Sequence, residues 1–264
     1  MKIYDCFSFF NELDLLEIRL NELDSVVDKF VIVEAEKTHQ NKEKPLYFNN
    51  EKDSERFKKF KDKIIHLIVP ANEFNEDTWK NENHQFRCIM KGLQEADTND
   101  LILISCLDEI PKASVIKELK KNPIDIPHYL KHDFFFFYLD TIYESVVEGT
   151  TWTGTCVARK HHLEAEDMYS VFIRRQQFKN LIHNAGWHFS FMGDVDNALT
   201  KINSYAHIEF TGITKKNMTL FMENLKDPLG RNETSFHHHE DLNNLPIYIQ
   251  ENLSKYKKHI HQRI

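Results

Sequence analysis

Leu101-Ile-Leu-Ile-Ser-Cys-Leu-Asp-Glu-Ile-Pro111 is an apolar run that ends in two adjacent carboxylates and a proline. Leu101 to Ile104 are four branched apolar residues with no polar alternation, the pattern of a strand covered on both faces in a parallel or mostly parallel sheet. Carboxylates are seldom buried unless paired or bound to a metal, and ligands of open α/β sheets sit outside the carboxyl ends of the strands. Asp108 and Glu109 therefore either face a ligand at such an end or cap a helix over Pro111 to Lys121, where negative charge and proline both suit the first turn.

Upstream of this stretch, strand and helix patterns alternate. Lys2 to Phe10 is aromatic and β-rich, and Leu13, Leu16, Leu20 and Leu23 recur at helical spacing. Phe30 to Ala35 reads as a second buried strand ending in Glu34, Asp53 to Lys61 as a charged helical stretch, and Lys63 to Val69 as a third strand. Trp79 to Ala96 reads as a helix with Phe86, Ile89, Met90 and Leu93 on one face. Such alternation implies an α/β fold: a Rossmann-like, mostly parallel sheet with right-handed crossovers and helices on both faces. The glycine fingerprint of a dinucleotide site is missing.

Downstream, the pattern changes to a mixed α+β C-terminal extension. Phe134 to Tyr138 is strongly aromatic, and Thr141 to Val147 with Thr155 to Ala158 reads as a strand pair. Asn184-Ala-Gly-Trp-His-Phe-Ser-Phe-Met-Gly193 has the composition of a ligand-facing loop. Helices are expected near Val195–Ala206, Thr214–Asn224 and Tyr248–Tyr256. The division falls at residues 1–122 and 123–264, two halves of one domain.

With 264 residues and 41% hydrophobic content the chain can bury a substantial core. Its 34 Lys and Arg against 41 Asp and Glu leave a net charge of -7, which excludes a general basic surface for nucleic acid. Cys6, Cys88, Cys106 and Cys156 are far apart in apolar segments, as suits reduced thiols in a cytosolic protein. The N-terminus shows no apolar run long enough for a signal peptide or transmembrane segment, so a cytoplasmic location is expected. The sequons at Asn217, Asn232 and Asn252 then carry no weight. His237-His238-His239-Glu240 reads as a solvated loop, since adjacent histidines do not readily converge on one ion.

Several motifs together resemble glycosyltransferase family 17. They are Phe10-Asn-Glu-Leu-Asp-Leu-Leu-Glu-Ile-Arg-Leu-Asn-Glu-Leu, Val31-Ile-Val-Glu-Ala with Thr38-His39, Lys44-Pro-Leu-Tyr-Phe, Asp108-Glu-Ile-Pro, Ala185-Gly-Trp-His-Phe-Ser and Ser204-Tyr-Ala-His. The resemblance runs from residue 1 to about 256. It implies a GT-A-like fold, with residues 1–122 as the nucleotide-sugar-binding half and 123–264 as the acceptor side. It also implies a UDP-sugar donor (UDP-GlcNAc), a glycan acceptor, inversion at the anomeric carbon, and a divalent cation, Mn²⁺ or Mg²⁺. The family's Asp-x-Asp-Glu-Ile-Pro appears here as Cys106-Leu107-Asp108-Glu109-Ile110-Pro111. A neutral thiol is a poor ligand for a hard cation, which leaves two readings: an active enzyme, or a weakly active or inactive glycan or nucleotide-sugar binding protein. An acid restored at position 106 is expected to strengthen metal or donor binding.

By this resemblance Asp108 is the metal ligand, and His188 serves the metal or the donor diphosphate. Glu34 at a strand end suits a ribose or uridine contact, or else a capping role. Arg87 is a candidate for neutralising phosphate or holding the acid pair, with Arg174 and Arg175 behind it. Trp187 is a candidate for stacking on a sugar, as is Trp152. Glu109 lies next to the motif as a catalytic carboxylate, but the base that takes the acceptor's proton is unassigned among Glu109, Glu166, Asp167 and Asp194.

Overall fold

The computed structural model describes residues 1–231 and 233–261; the Asn232 sequon lies outside them. One mixed sheet of ten strands spans both halves of the chain. The strands are β1 (Ile3–Phe9), β2 (Lys29–Ala35), β3 (Ile64–Val69), β4 (Leu101–Cys106), β5 (Glu109–Pro111), β6 (His128–Phe136), β7 (Thr141–Ser145), β8 (Thr151–Arg159), β9 (Leu181–Ser190) and β10 (Thr234–His238). Across the sheet the order is β3-β2-β1-β4-β8-β6-β7-β10, and β9 pairs with both β5 and β6. β3, β2, β1 and β4 are mutually parallel. β8 runs antiparallel to its neighbours β4 and β6, and β9 is parallel to β6.

The unbroken apolar runs of the parallel strands are buried on both faces, as their sequence demands. Ile3, Phe7, Phe30, Ile32, Leu101 and Leu103 pack on one side with the leucines of helix Leu13–Leu23 and with Ile116 and Leu119 of helix Ala113–Lys121. Tyr4, Cys6, Val31, Val33, Ile102 and Ile104 pack on the other, with Phe86 of helix Thr78–Arg87 and Val171 and Phe172 of helix Met168–Ile173. A third cluster is aromatic: Phe134, Phe136 and Tyr143 pack with helices Val195–Ile202 and Lys215–Glu223.

Five elements differ from the sequence expectation. The helix expected at Trp79–Ala96 is α-helical only over Thr78–Arg87 and tightens to a 3-10 turn at Cys88–Leu93. There Gly92 lies so close to β2 that a Cβ would stand 2.4 Å from Val31 Cγ1. The charged stretch 53–61 is not one helix, because Phe48, Phe57 and Phe60 anchor a short helix, Tyr47–Glu51, and a 3-10 turn, Lys58–Lys63. β7 and β8 do not pair with each other, since the aromatic β6 lies between them. His237 and His238 belong to the exposed strand β10, where they face Glu144 and Asp140.

The expected loop at Asn184–Gly193 is largely strand β9, and this correction matters most. Its sequence alternates: Ala185, Trp187 and Phe189 join the first core cluster, whereas His188 and Ser190 face the cavity described next. Gly186 permits the close approach to β5, for a Cβ there would stand 2.3 Å from Ile110 O.

Candidate active site

β1 connects to β2 on one side, while β4 returns to the other side of β1, so the chain reverses direction across the sheet between β1 and β4. A crevice opens at the carboxyl ends of such a strand pair, and here Ser8 and Cys106 are the paired end residues. A cavity of about 550 Å³ occupies it, with Cys106, Asp108, Glu109, Trp152, Arg175 and His188 in its wall.

The acid turn is fixed from below by Arg19, which is fully buried on helix Leu13–Leu23. Its Nε and Nη2 donate to the two oxygens of Asp5 at 2.8 and 2.6 Å, and Nη2 also donates to Ser105 Oγ at 2.7 Å. Nη1 donates to the carbonyls of Cys106, Leu107 and Glu109 at 2.8, 3.0 and 3.0 Å. From the side, Phe189 N donates to Asp108 O at 2.9 Å, and Glu109 opposes His188 in the β5–β9 ladder. Pro111 ends β5, and the next helix begins at Ala113. The acids therefore do not cap that helix; the turn carrying them projects into the cavity.

The two acids have different partners. Glu109 is saturated: Oε1 accepts from Trp152 Nε1 at 2.7 Å and Arg175 Nη1 at 2.6 Å, and Oε2 accepts from Cys106 N at 2.9 Å. Burial is the strongest single influence and pushes its pKa up, yet Arg175 together with His188 and His132 outweighs it and holds the carboxyl below the usual range. Asp108 Oδ2 accepts from Lys201 Nζ at 2.6 Å and lies 3.6 Å from His188 Nε2. Against its own burial, Lys201 and His188 keep this carboxyl well below the ordinary carboxylate range. The His188 ring stacks on Phe134 at 4.6 Å and 12°, and its Nδ1 is buried without a hydrogen-bond partner. Burial pushes the Cys106 thiol well up, and Glu109 adds to this, so the thiol is neutral.

The other sequence candidates divide between cavity and scaffold. Glu34 caps: its oxygens accept from Phe48 N at 3.0 Å and Asn49 N at 3.1 Å at the start of helix Tyr47–Glu51. Arg87 is on the outer surface, held by Asp167 at 2.7 Å and 3.0 Å; the arginine that holds Glu109 of the acid pair is Arg175. Trp187 faces the core and donates Nε1 to Asn244 O at 2.6 Å, so Trp152 is the tryptophan in the cavity wall. Period-2 alternation along β9 assigns Trp187 and His188 to opposite faces. Glu166 pairs with Arg174, and Asp167 and Asp194 are helix N-caps. None of the three lines the cavity.

Sequence reasoning missed Arg19, Lys201 and the pair His207–Glu209. Arg19 interrupts the apolar stripe of Leu16, Leu20 and Leu23, and a charge inside such a stripe signals a buried partner. Lys201 follows from no local pattern, since its partner is far away in sequence. His207 Nδ1 lies 2.7 Å from Glu209 Oε1, with Trp79 packed edge-on at 4.6 Å; both His207 and Glu209 line the cavity.

As arranged, the acid turn does not fit the divalent cation that the resemblance implies. Such an ion takes oxygen ligands. Both Glu109 oxygens are engaged, position 106 offers a neutral thiol, and the remaining carboxylate already holds an ammonium at 2.6 Å. Among the described residues the group able to hold a metal is Glu73, His84 and Cys88. It has a softer donor set and stands outside the cavity lining.

A crevice at the carboxyl ends of parallel strands, with a carboxylate turn at the end of β4, is where open α/β sheets take their ligands, and sequence comparison places the chain in a family. The chain belongs to glycosyltransferase family 17, whose sequence model matches residues 1–227. It is 22% identical over 218 residues to a rat β-1,4-mannosyl-glycoprotein 4-β-N-acetylglucosaminyltransferase, covering 72% of this chain and 40% of the relative. The human protein of the same name is 23% identical over 209 residues, covering 69% of this chain and 39% of the relative. The chain thus spans about two fifths of the length of the curated relatives it matches. Among solved structures, a UDP-glucose pyrophosphorylase complexed with UDP-glucose aligns over 75% of this chain and 96% of its own, at 9% identity and a TM-score of 0.40. No helix among the described residues is long and apolar enough to cross a membrane.

Proposed function

We propose that this protein transfers a sugar, N-acetylglucosamine by analogy with the curated relatives, from a UDP-sugar to a glycan hydroxyl with inversion. The observation that carries the reading is the Asp108–Lys201–His188 cluster at the carboxyl ends of β1 and β4, inside a cavity large enough for a nucleotide sugar. The donor's nucleoside lies at the β1–β2 end, where Phe10, Thr38 and Lys44 line the cavity. Burial brings the Lys44 ammonium down to about 8, still largely charged at neutral pH. The sugar lies toward Trp152, His188 and Phe134.

In the reaction, the acceptor oxygen forms a bond to the anomeric carbon as the bond from that carbon to the diphosphate oxygen breaks. The electron pair leaves on the diphosphate, where cationic side chains stabilise it. The acceptor's proton passes to His207, whose Nδ1 is oriented by Glu209 and whose Nε2 is left for a substrate hydroxyl. Glu109 is unsuited to that task, since both its oxygens are hydrogen-bonded and its pKa is depressed. Four unpaired cysteines suit a reducing compartment, and with it a glycan assembled on the cytoplasmic side.

Incubation with UDP-GlcNAc and other UDP-hexoses, following UDP release with and without glycan acceptors, tests the assignment. Release that rises with one acceptor supports it. Tight UDP binding with no release for any sugar would favour the second reading, a binding protein, for which the neutral Cys106 is the observation. Neither binding nor release would remove both readings.

A further inference from the structure

We propose that Lys201 is the cation of the donor diphosphate site, standing where the family resemblance places a divalent metal, so that nucleotide binding by this chain is independent of metal. The inference rests on the UDP-sugar reading of the cavity and names what neutralises the phosphates there.

The argument starts from charge. A UDP-sugar brings two phosphate charges, and a crevice walled by Asp108 and Glu109 would repel it unless cations offset those acids. Arg175 neutralises Glu109 at 2.6 Å, and Lys201 meets Asp108 at 2.6 Å. Arg231 also lines the cavity, but its Nε is held by Asp227 Oδ2 at 2.6 Å. The balance at the turn is thus already made by the chain's own side chains.

Geometry then separates the two pairs. The Arg175 guanidinium is committed to a carboxylate that is itself saturated. The Lys201 ammonium has three donors, and its hydrogen bond among the described residues is the one to Asp108 Oδ2. It is carried on helix Val195–Ile202, whose Ala198 and Ile202 are buried in the third core cluster and whose Asp194 caps Asn197 N at 2.8 Å. The backbone that presents Nζ is therefore fixed, and the ammonium keeps donors for phosphate oxygens while Asp108 orients it. A metal ion placed at the same carboxylate oxygen would sit beside this ammonium, and like charges at such a separation repel. Cys106 fits the same picture, because a site whose cation is an ammonium has no use for a second carboxylate as metal ligand.

UDP itself is the probe. Titrated calorimetrically into the full chain, it should bind with the same affinity in EDTA and in excess Mn²⁺. Lys201→Ala should weaken binding by roughly tenfold to a hundredfold in both buffers, while Lys201→Arg should recover part of the loss. Melting curves of both variants establish that they are folded. UDP binding that requires Mn²⁺ and disappears in EDTA would overturn the proposal while leaving the nucleotide-sugar reading intact, as would unchanged affinity in a folded Lys201→Ala protein. Absence of UDP binding in every buffer would overturn the reading of the cavity itself, and the proposal with it.

Discussion

Below the 106–109 turn, every nitrogen of the Arg19 guanidinium is committed to a fixed acceptor in the buried core; above it, Lys201 meets one oxygen of one carboxylate at the edge of a cavity. Both are basic side chains on helices, and both act on the same few residues. The lower one holds the main chain in place. The upper one keeps donor capacity free for a ligand. The difference teaches that burial with complete pairing builds scaffold, whereas partial pairing beside open space marks the working face.

The largest expected effect breaks the lower side. Arg19→Met leaves Asp5 as an uncompensated buried charge and frees three carbonyls, and it should cost about 3–5 kcal/mol of folding stability. Arg19→Lys should rescue little, because one ammonium cannot reproduce the planar fork. Denaturant unfolding checks both, and a near-normal midpoint for Arg19→Met would erase the distinction between the two sides.

Next comes acid. His132 is fully buried against Trp187 O at 3.1 Å, and burial lowers its pKa to about 4. Between about pH 6.5 and 4 the unfolded chain takes up a proton that the folded chain refuses, so stability present above that window is lost as pH falls, by about 3 kcal/mol. Asp108 and Glu109, whose folded pKa values are also depressed, add losses at lower pH. The slope of melting temperature against pH should flatten in His132→Gln between pH 6.5 and 4; an unchanged slope there would assign the loss to other groups.

Position 106 sharpens the boundary between the sides. By resemblance Cys106→Asp restores the family's acid, but in the structure it adds a third carboxylate beside Asp108 and Glu109, whose nearby cations are already paired. The expected outcome is a loss of about 1–3 kcal/mol in stability without tighter UDP binding. A calorimetric titration showing a stronger, Mn²⁺-linked response would reverse that expectation. The smallest effect is at Trp187: replacement by Phe keeps the packing, removes the bond to Asn244 O, and should cost about 1 kcal/mol in stability with no change in UDP affinity.

How much of this was legible in the sequence follows from range. The parallel strands announced themselves through local composition, because burial on both faces needs no partner to be read, and Asp108 and His188 stood out through their motifs. For Glu34 the structure takes the capping alternative, and Arg87 and Trp187 stand away from the donor site, because each has a side-chain or main-chain partner that local pattern does not specify: Phe48 N, Asp167 and Asn244 O. Only for Trp187 does local pattern carry the answer, in the alternation Ala185, Trp187, Phe189 along β9. Lys201 is 93 residues from Asp108, and no periodicity links the two.

The pairing of β5 with β9 also sets an order in time. Glu109 opposes His188 in that ladder, so during synthesis the acid turn emerges about 80 residues before the strand that seats it, a lag of about 4–16 s at about 5–20 residues per second. Arg19 and Asp5 precede both. The growing chain can thus assemble the underside of the turn while its ligand-facing side still waits for β9, and the site is completed only once β9 and the helix that carries Lys201 have followed.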